Sequence, residues 1–166
     1  SRTRFGPRDL RAGGTWMSLN RAGVVAALTN AVPPDLAPVD GVASRGEIIG
    51  LALRHRTAAA AAASVTEADP ARTRPFYLLF AGPDGAHAVS GTQQSWSLIE
   101  LEPGVHVQEN RPLDDPSAEK VSRCVELTRD LARWPADELV QRLHSVLSDH
   151  DPSHPELRRL CVHTDI

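Results

Sequence analysis

An α+β fold is predicted by three patterns in this 166-residue sequence. Strand-like segments fall in two groups, Gly14–Asn30 and Phe76–Asn110; helical segments with apolar stripes lie between and after them; and the run Phe76–Ala81 is apolar at every position. A strand apolar on both faces is covered on both faces, so this run is expected in the middle of a sheet with layers on either side.

Within the first group, Trp16, Met17 and Leu19 precede Asn20-Arg21-Ala22-Gly23, and the apolar run Val24–Leu28 follows. Gly23 can take the positive φ of a short hairpin loop, which makes the segment a β-hairpin. The next stretch, "AVPPDLAPVDGVASRG", is aperiodic and proline-rich and is expected to be a loop able to cover a cleft. Ser44 and Glu47 stand at capping-box spacing ahead of Ile48, Ile49, Leu51, Ala52 and Leu53, which predicts a helix start with Glu47 engaged in the cap. No breaker precedes Ser64, so this helix is expected to continue into the tract Ala58–Ala63.

The second strand group reads as "FYLLFAG", a Pro83-Asp84-Gly85 turn, "AHAVSG", "SWSLIELEPG" and "VHVQEN". Two helices follow. The first begins near Asp115-Pro116 and spaces Val121, Cys124, Val125, Thr128 and Leu131 by threes and fours; Pro135 opens the second, with Leu139, Val140, Leu143, Val146 and Leu147 as its stripe. Two stripes and a short connection predict an antiparallel pair packed on the sheet. Leu157–Ile166 returns to strand alternation. The length fits one domain, 1–166. The missing initiator Met, and an alternation still running at Ile166, read as part of a longer chain.

A net charge of -3 and singly scattered basic residues give no footprint for a polyanion, which argues against nucleic acid as a partner. The longest apolar run, Ala58–Ala63, is too short to span a bilayer, and no signal peptide opens the chain. The expected setting is cytoplasmic. Cys124 and Cys161 lie in different segments without metal or disulfide spacing and read as buried core residues. His144, His150 and His154 lie near Asp149 and Asp151, but Pro152 and Pro155 break the helix that would align them, so no metal site is expected.

Arg8-Asp9, Gly13-Gly14-Thr15-Trp16 and Ala27-Leu28-Thr29-Asn30 occur in that order across the hairpin, followed by Ser44-Arg45-Gly46-Glu47 and by "LEPGVHVQEN" ending in Asn110. In this the chain resembles the NRDE family, also called the transport-and-Golgi-organisation protein 2 family, over nearly its whole length. The paired Gly-Gly-Thr-Trp and Ala-Leu-Thr-Asn carry most of that specificity. Three departures stand out: the name-giving Asn-Arg-Asp-Glu segment, the Cys after the family's initiator Met, and the Tyr-Gly-Thr-Arg expected beyond "VHTDI" do not occur.

The resemblance implies a four-layer αββα sandwich similar to the N-terminal-nucleophile hydrolases, possible cleavage of an amide or acyl bond, and a small molecule as substrate or ligand. In such enzymes the first residue attacks the carbonyl, with its own α-amino group as base, and nearby amides hold the oxyanion. Asn30 and Asn110 look like the two asparagines of that pattern, although each equally suits turn initiation before a proline-bearing loop. Arg8, Asp9, Thr15, Trp16 and Arg45 are candidate substrate contacts. Against that stand a surface ion pair for Arg8 and Asp9, a core position for Trp16 and a helix-start role for Arg45. Gly13 and Gly14 are expected to turn the chain or approach another element closely.

If processing exposed it, Ser1 would qualify as a nucleophile by position and chemistry, but the family's nucleophile candidate is a Cys well upstream, so the chain as it stands is expected to lack that group and to be inactive. The alternative reading is a non-catalytic carrier or chaperone for haem or acyl-CoA-type lipids, with haem as cargo rather than cofactor. His55, His87, His106 or Cys124 could then ligate iron, but no motif singles one out.

Overall fold

A computed structural model of the chain describes residues 4–10, 13–31, 44–67, 69, 73–92 and 94–150. The expected loop over 32–43 and the closing strand Leu157–Ile166 lie outside these residues, as do Ser1 and Cys161. The chain divides into two compact units, one of Ser1–Gly104 with Gln108–Leu113, the other of Val105–Val107 with Asp114–Ile166.

The first unit is a helical layer on an antiparallel sheet. Strands β1 (Arg4–Phe5), β2 (Met17–Asn20), β3 (Val25–Asn30), β4 (Phe76–Gly82), β5 (Gly85–Gly91) and β6 (Trp96–Leu101) form a six-stranded sheet in sequence order. The hairpin turns where expected, with Gly23 at φ 84 and Gly85 at φ 131. In register, Ala26 pairs with Phe80 and Leu28 with Leu78, while Leu78 pairs with Val89. These side chains share one face, and α1 (Arg45–Ala52) and α2 (Ala58–Thr66) pack on the same sheet.

The core is therefore Val24, Phe76, Leu78, Phe80, Val89 and Ile49, all fully buried, together with Ala58, Ala61 and Ala62 of α2. Alanines bring that helix close to the sheet. Trp96 lies over Gly91 against Phe76, with ring centroids 5.1 Å apart, in space that a side chain at Gly91 would occupy. Phe5, Met17, Leu19 and Ile99 point from the opposite face and stay partly exposed.

The helix expected to run through the alanine tract is broken instead at 53–57. Asn20 Nδ2 donates to Leu53 O (3.1 Å) and His55 O (2.7 Å), capturing carbonyls at the break. A new helix then starts. Thr57 Oγ1 accepts from Ala60 N, and the Asp84 carboxylate accepts from Ala58 N (2.8 Å) and Ala59 N (3.1 Å). At α1 the capping box does not form: Ser44 makes no side-chain cap bond, and its carbonyl accepts from Glu47 N in its place.

The bonds from Ala58 and Ala59 hold the Asp84 carboxyl below its ordinary range. A depressed carboxylate stabilises the fold above its unfolded value and loses that contribution as pH falls through the lowered folded value. Stability is expected to decline in this acidic window, and Asp84→Asn is expected to flatten that part of the profile, as followed by urea midpoints against pH.

"VHVQEN" is not a strand. Residues 105–114 form an irregular loop in which Asp114, at φ 53, bonds Val107 through both its backbone N–H and its Oδ1 and reaches His106 Nδ1 at 2.7 Å. The alternation of Val105 and Val107 imitates a strand, but these bonds turn the chain back on itself.

In the second unit, α3 (Glu119–Leu127) starts after an Asp115 turn that caps Ser117, and α4 (Leu139–Leu147) starts four residues after Pro135. Both begin later than the sequence suggests because Asp115 and Pro135 head isolated turns first. Arg123 binds Asp149 through two nitrogens at 3.1 and 3.0 Å, tying the end of α4 to α3. Among the described residues, no helix is long and apolar enough to cross a membrane.

Candidate active-site cleft

The cleft wall is made of backbone that only glycine allows. Beyond β1 the chain loops back, Asp9 N donating to Gly14 O at 2.9 Å and Gly13 N to Asp9 O at 2.8 Å, with Gly13 at φ 76. Gly14 then meets the first turn of α1. A Cβ on Gly46 would stand 2.9 Å from Thr15 N and 3.0 Å from Gly14 Cα, and one on Gly14 3.2 Å from Gly46 Cα. Gly-Gly-Thr-Trp and Ser-Arg-Gly-Glu are thus two halves of one wall, in direct backbone contact. Gly46→Ala is expected to force them apart and destabilise the protein by about 1–3 kcal/mol, the usual cost of overpacking, measured by urea denaturation.

Thr15 Oγ1 donates to Met17 O (2.6 Å), and Trp16 O accepts from Leu28 N (2.7 Å), which prolongs the hairpin to the cleft rim. Trp16 is 51% exposed there, not a core residue. Asn30 ends β3. Its neighbour Thr29 donates from Oγ1 to Glu109 O at 2.7 Å, which holds the segment carrying Asn110 beside the end of β3. Neither the Asn30 nor the Asn110 side chain bonds another described residue.

Arg45 Nη1 donates to Pro75 O at 3.1 Å; burial first, and the charge of Arg74 second, lower its pKa from the ordinary arginine value. Together Asp9, Thr15, Trp16, Asn30, Arg45, Arg74 and Asn110 line a cleft of about 670 Å³, also bounded by Gly14, Gly46, Ser44, Leu28 and Thr29. Two guanidiniums face it against one carboxylate, so it favours an anionic group.

The family model described as "Transport and Golgi organisation 2" matches residues 2–165. The chain belongs to that family. A search of curated proteins finds no match. Among solved structures, the Caenorhabditis elegans N-acylethanolamine-hydrolyzing acid amidase ortholog superposes with a TM-score of 0.62 at 14% identity, covering 93% of this chain and 76% of that one. At that identity the fold is what the two share: the α+β architecture of the N-terminal-nucleophile hydrolases. The described residues form one six-stranded sheet with a helical layer on it.

In this Transport and Golgi organisation 2 family member, the cleft gathers Asn30, Asn110, Asp9, Thr15, Trp16 and Arg45, while Arg8 lines a neighbouring groove. Arg74 was not among the residues the sequence singled out. It arrives through strand register: Asn30 pairs with Phe76, so the residues just before β4 flank the end of β3, and Ala31 N donates to Pro75 O. His55 and His87 line neither space; His55 sits between α1 and α2, and His87 lies on β5. His106 and Cys124 belong to the second unit, where burial raises the Cys124 thiol pKa. Among the described residues, no three His, Cys, Asp or Glu side chains are placed to hold a metal ion.

Proposed function

We propose that the cleft binds an acyl compound and cleaves its amide or related acyl bond, with Asn30 and Asn110 donating to the carbonyl oxygen as it becomes an oxyanion. The observation that carries this reading is the meeting in one cleft of two amide side chains from distant segments, neither bonded to another described residue. The fold it shares with an amidase supports it. In the proposed reaction an N-terminal thiol or hydroxyl attacks the carbonyl, and its proton passes through the α-amino group to the departing amine as the C–N bond breaks. Water then releases the acid. Asn Nδ2–H groups aimed at the developing charge stabilise it more than they stabilise the neutral carbonyl. Arg45 and Arg74 would bind an anionic group elsewhere on the substrate.

The same two arginines favour a second reading, a carrier for an anionic lipid or haem. No described His or Cys lines the cleft, so haem there would be held through its propionates. The test begins with N-terminal sequencing of the natural protein, which identifies the attacking residue. Amine release is then measured from fluorogenic N-acyl amides with and without a carboxylate. Turnover that prefers the anionic amides is expected. Tight binding without turnover would overturn the hydrolase reading and establish carriage.

A further inference from the structure

A second groove, of about 1030 Å³, runs between β1 and α1 and shares Gly14, Thr15 and Gly46 with the cleft wall. Arg4, Arg8 and Arg54 line it, and none makes a hydrogen bond or ion pair with another described residue. Among the described residues that line it, Glu47 is the only carboxylate, in a chain whose net charge is -3. Arg4 does not simply extend into solvent. Its Nη1 stands 2.8 Å from where a Cβ of Gly50 would be, so the guanidinium lies against α1 in room that the missing side chain leaves. Its strand is held in place by pairing with β2 and by Ser18 Oγ donating to Phe5 O at 3.0 Å.

We infer that this groove is a binding site for a diphosphate-type anion. Three planar guanidinium forks offer more donors than a single carboxylate can use, and clustered phosphate oxygens match them in charge and geometry. The positive charge is concentrated here although the chain as a whole is acidic, so attraction is local and screened by salt. The site differs from the cleft in position and in chemistry: it holds neither asparagine, and it does not depend on the hydrolase reading.

The experiment is calorimetric titration of the full chain at low ionic strength with inorganic pyrophosphate, and in parallel with a nucleoside diphosphate. Binding that weakens with salt is expected, with Arg4→Ala and Arg54→Ala each costing roughly tenfold in affinity. Glu47→Gln should tighten binding. Gly50→Ala should weaken it by displacing the Arg4 head group, although alanine favours the helix. The exposed Arg56→Ala should leave it unchanged. Tighter binding of the nucleotide than of pyrophosphate would assign the diphosphate to a nucleotide-type ligand, and equal affinity to the free anion. No binding overturns the inference. So does a loss that follows Arg45→Ala but not Arg4→Ala, or one as large in Arg56→Ala as in Arg4→Ala.

Discussion

In the natural protein, whose N-terminal residue supplies the nucleophile, replacing Asn30 or Asn110 with alanine is expected to lower kcat for an N-acyl amide by about 100- to 1,000-fold, the usual effect of losing one oxyanion donor. Stability should change little. Asn30 is exposed at its strand end, and truncating either side chain removes no bond to a described residue. KM is expected to stay within a few-fold, because the donated bond strengthens only as the carbonyl oxygen gains charge. Urea midpoints measured alongside the kinetics separate this outcome from misfolding. A parallel fall in kcat and midpoint would make these asparagines structural, as the turn reading holds.

The largest expected loss of stability comes from Asn20→Ala. This side chain is 7% exposed and makes four hydrogen bonds: Nδ2 to Leu53 O and His55 O, and Oδ1 from Ala22 N and Val24 N. It joins the hairpin turn to the junction between α1 and α2. Alanine would leave buried donors and acceptors without partners, at a cost of about 2–4 kcal/mol in urea denaturation. Asn20→Asp should fare no better at neutral pH, because a carboxylate would face the two carbonyls that Nδ2 now satisfies. A loss under about 0.5 kcal/mol would show that water replaces these bonds at little cost.

The contrast between these asparagines shows where the sequence was legible. The hairpin could be read because its turn chemistry is local: Gly23 carries its own signal, as does the Pro83-Asp84-Gly85 turn. The central strand could be read from its unbroken apolar run, but cover on both faces is not what the described residues show. Phe76, Leu78 and Phe80 are buried under the helices, whereas Tyr77 and Leu79 on the other face are half-buried and Ala81 is exposed. The break between α1 and α2 could not, since alanine propensity argues for continuity and the opposing groups, Asn20 and Asp84, come from distant strands. Val105 and Val107 misled because alternation reports exposure, whereas the loop is set by Asp114. The asparagines at 30 and 110 and the Arg8–Arg45 set stood out only through family resemblance. Arg74 had no signal of either kind, because strand register places it. The arginine groove was hidden because Arg4, Arg8 and Arg54 look like scattered surface charge until β1 and α1 are side by side.

The central claim is that Asn30 and Asn110 act together on one substrate atom. It is tested most directly by a double-mutant cycle on amide turnover with the single alanine variants and the Asn30→Ala/Asn110→Ala pair. The predicted result is strong loss in each single variant and a combined loss smaller than the product of the two, with unchanged urea midpoints. Wild-type turnover in both single variants would contradict it.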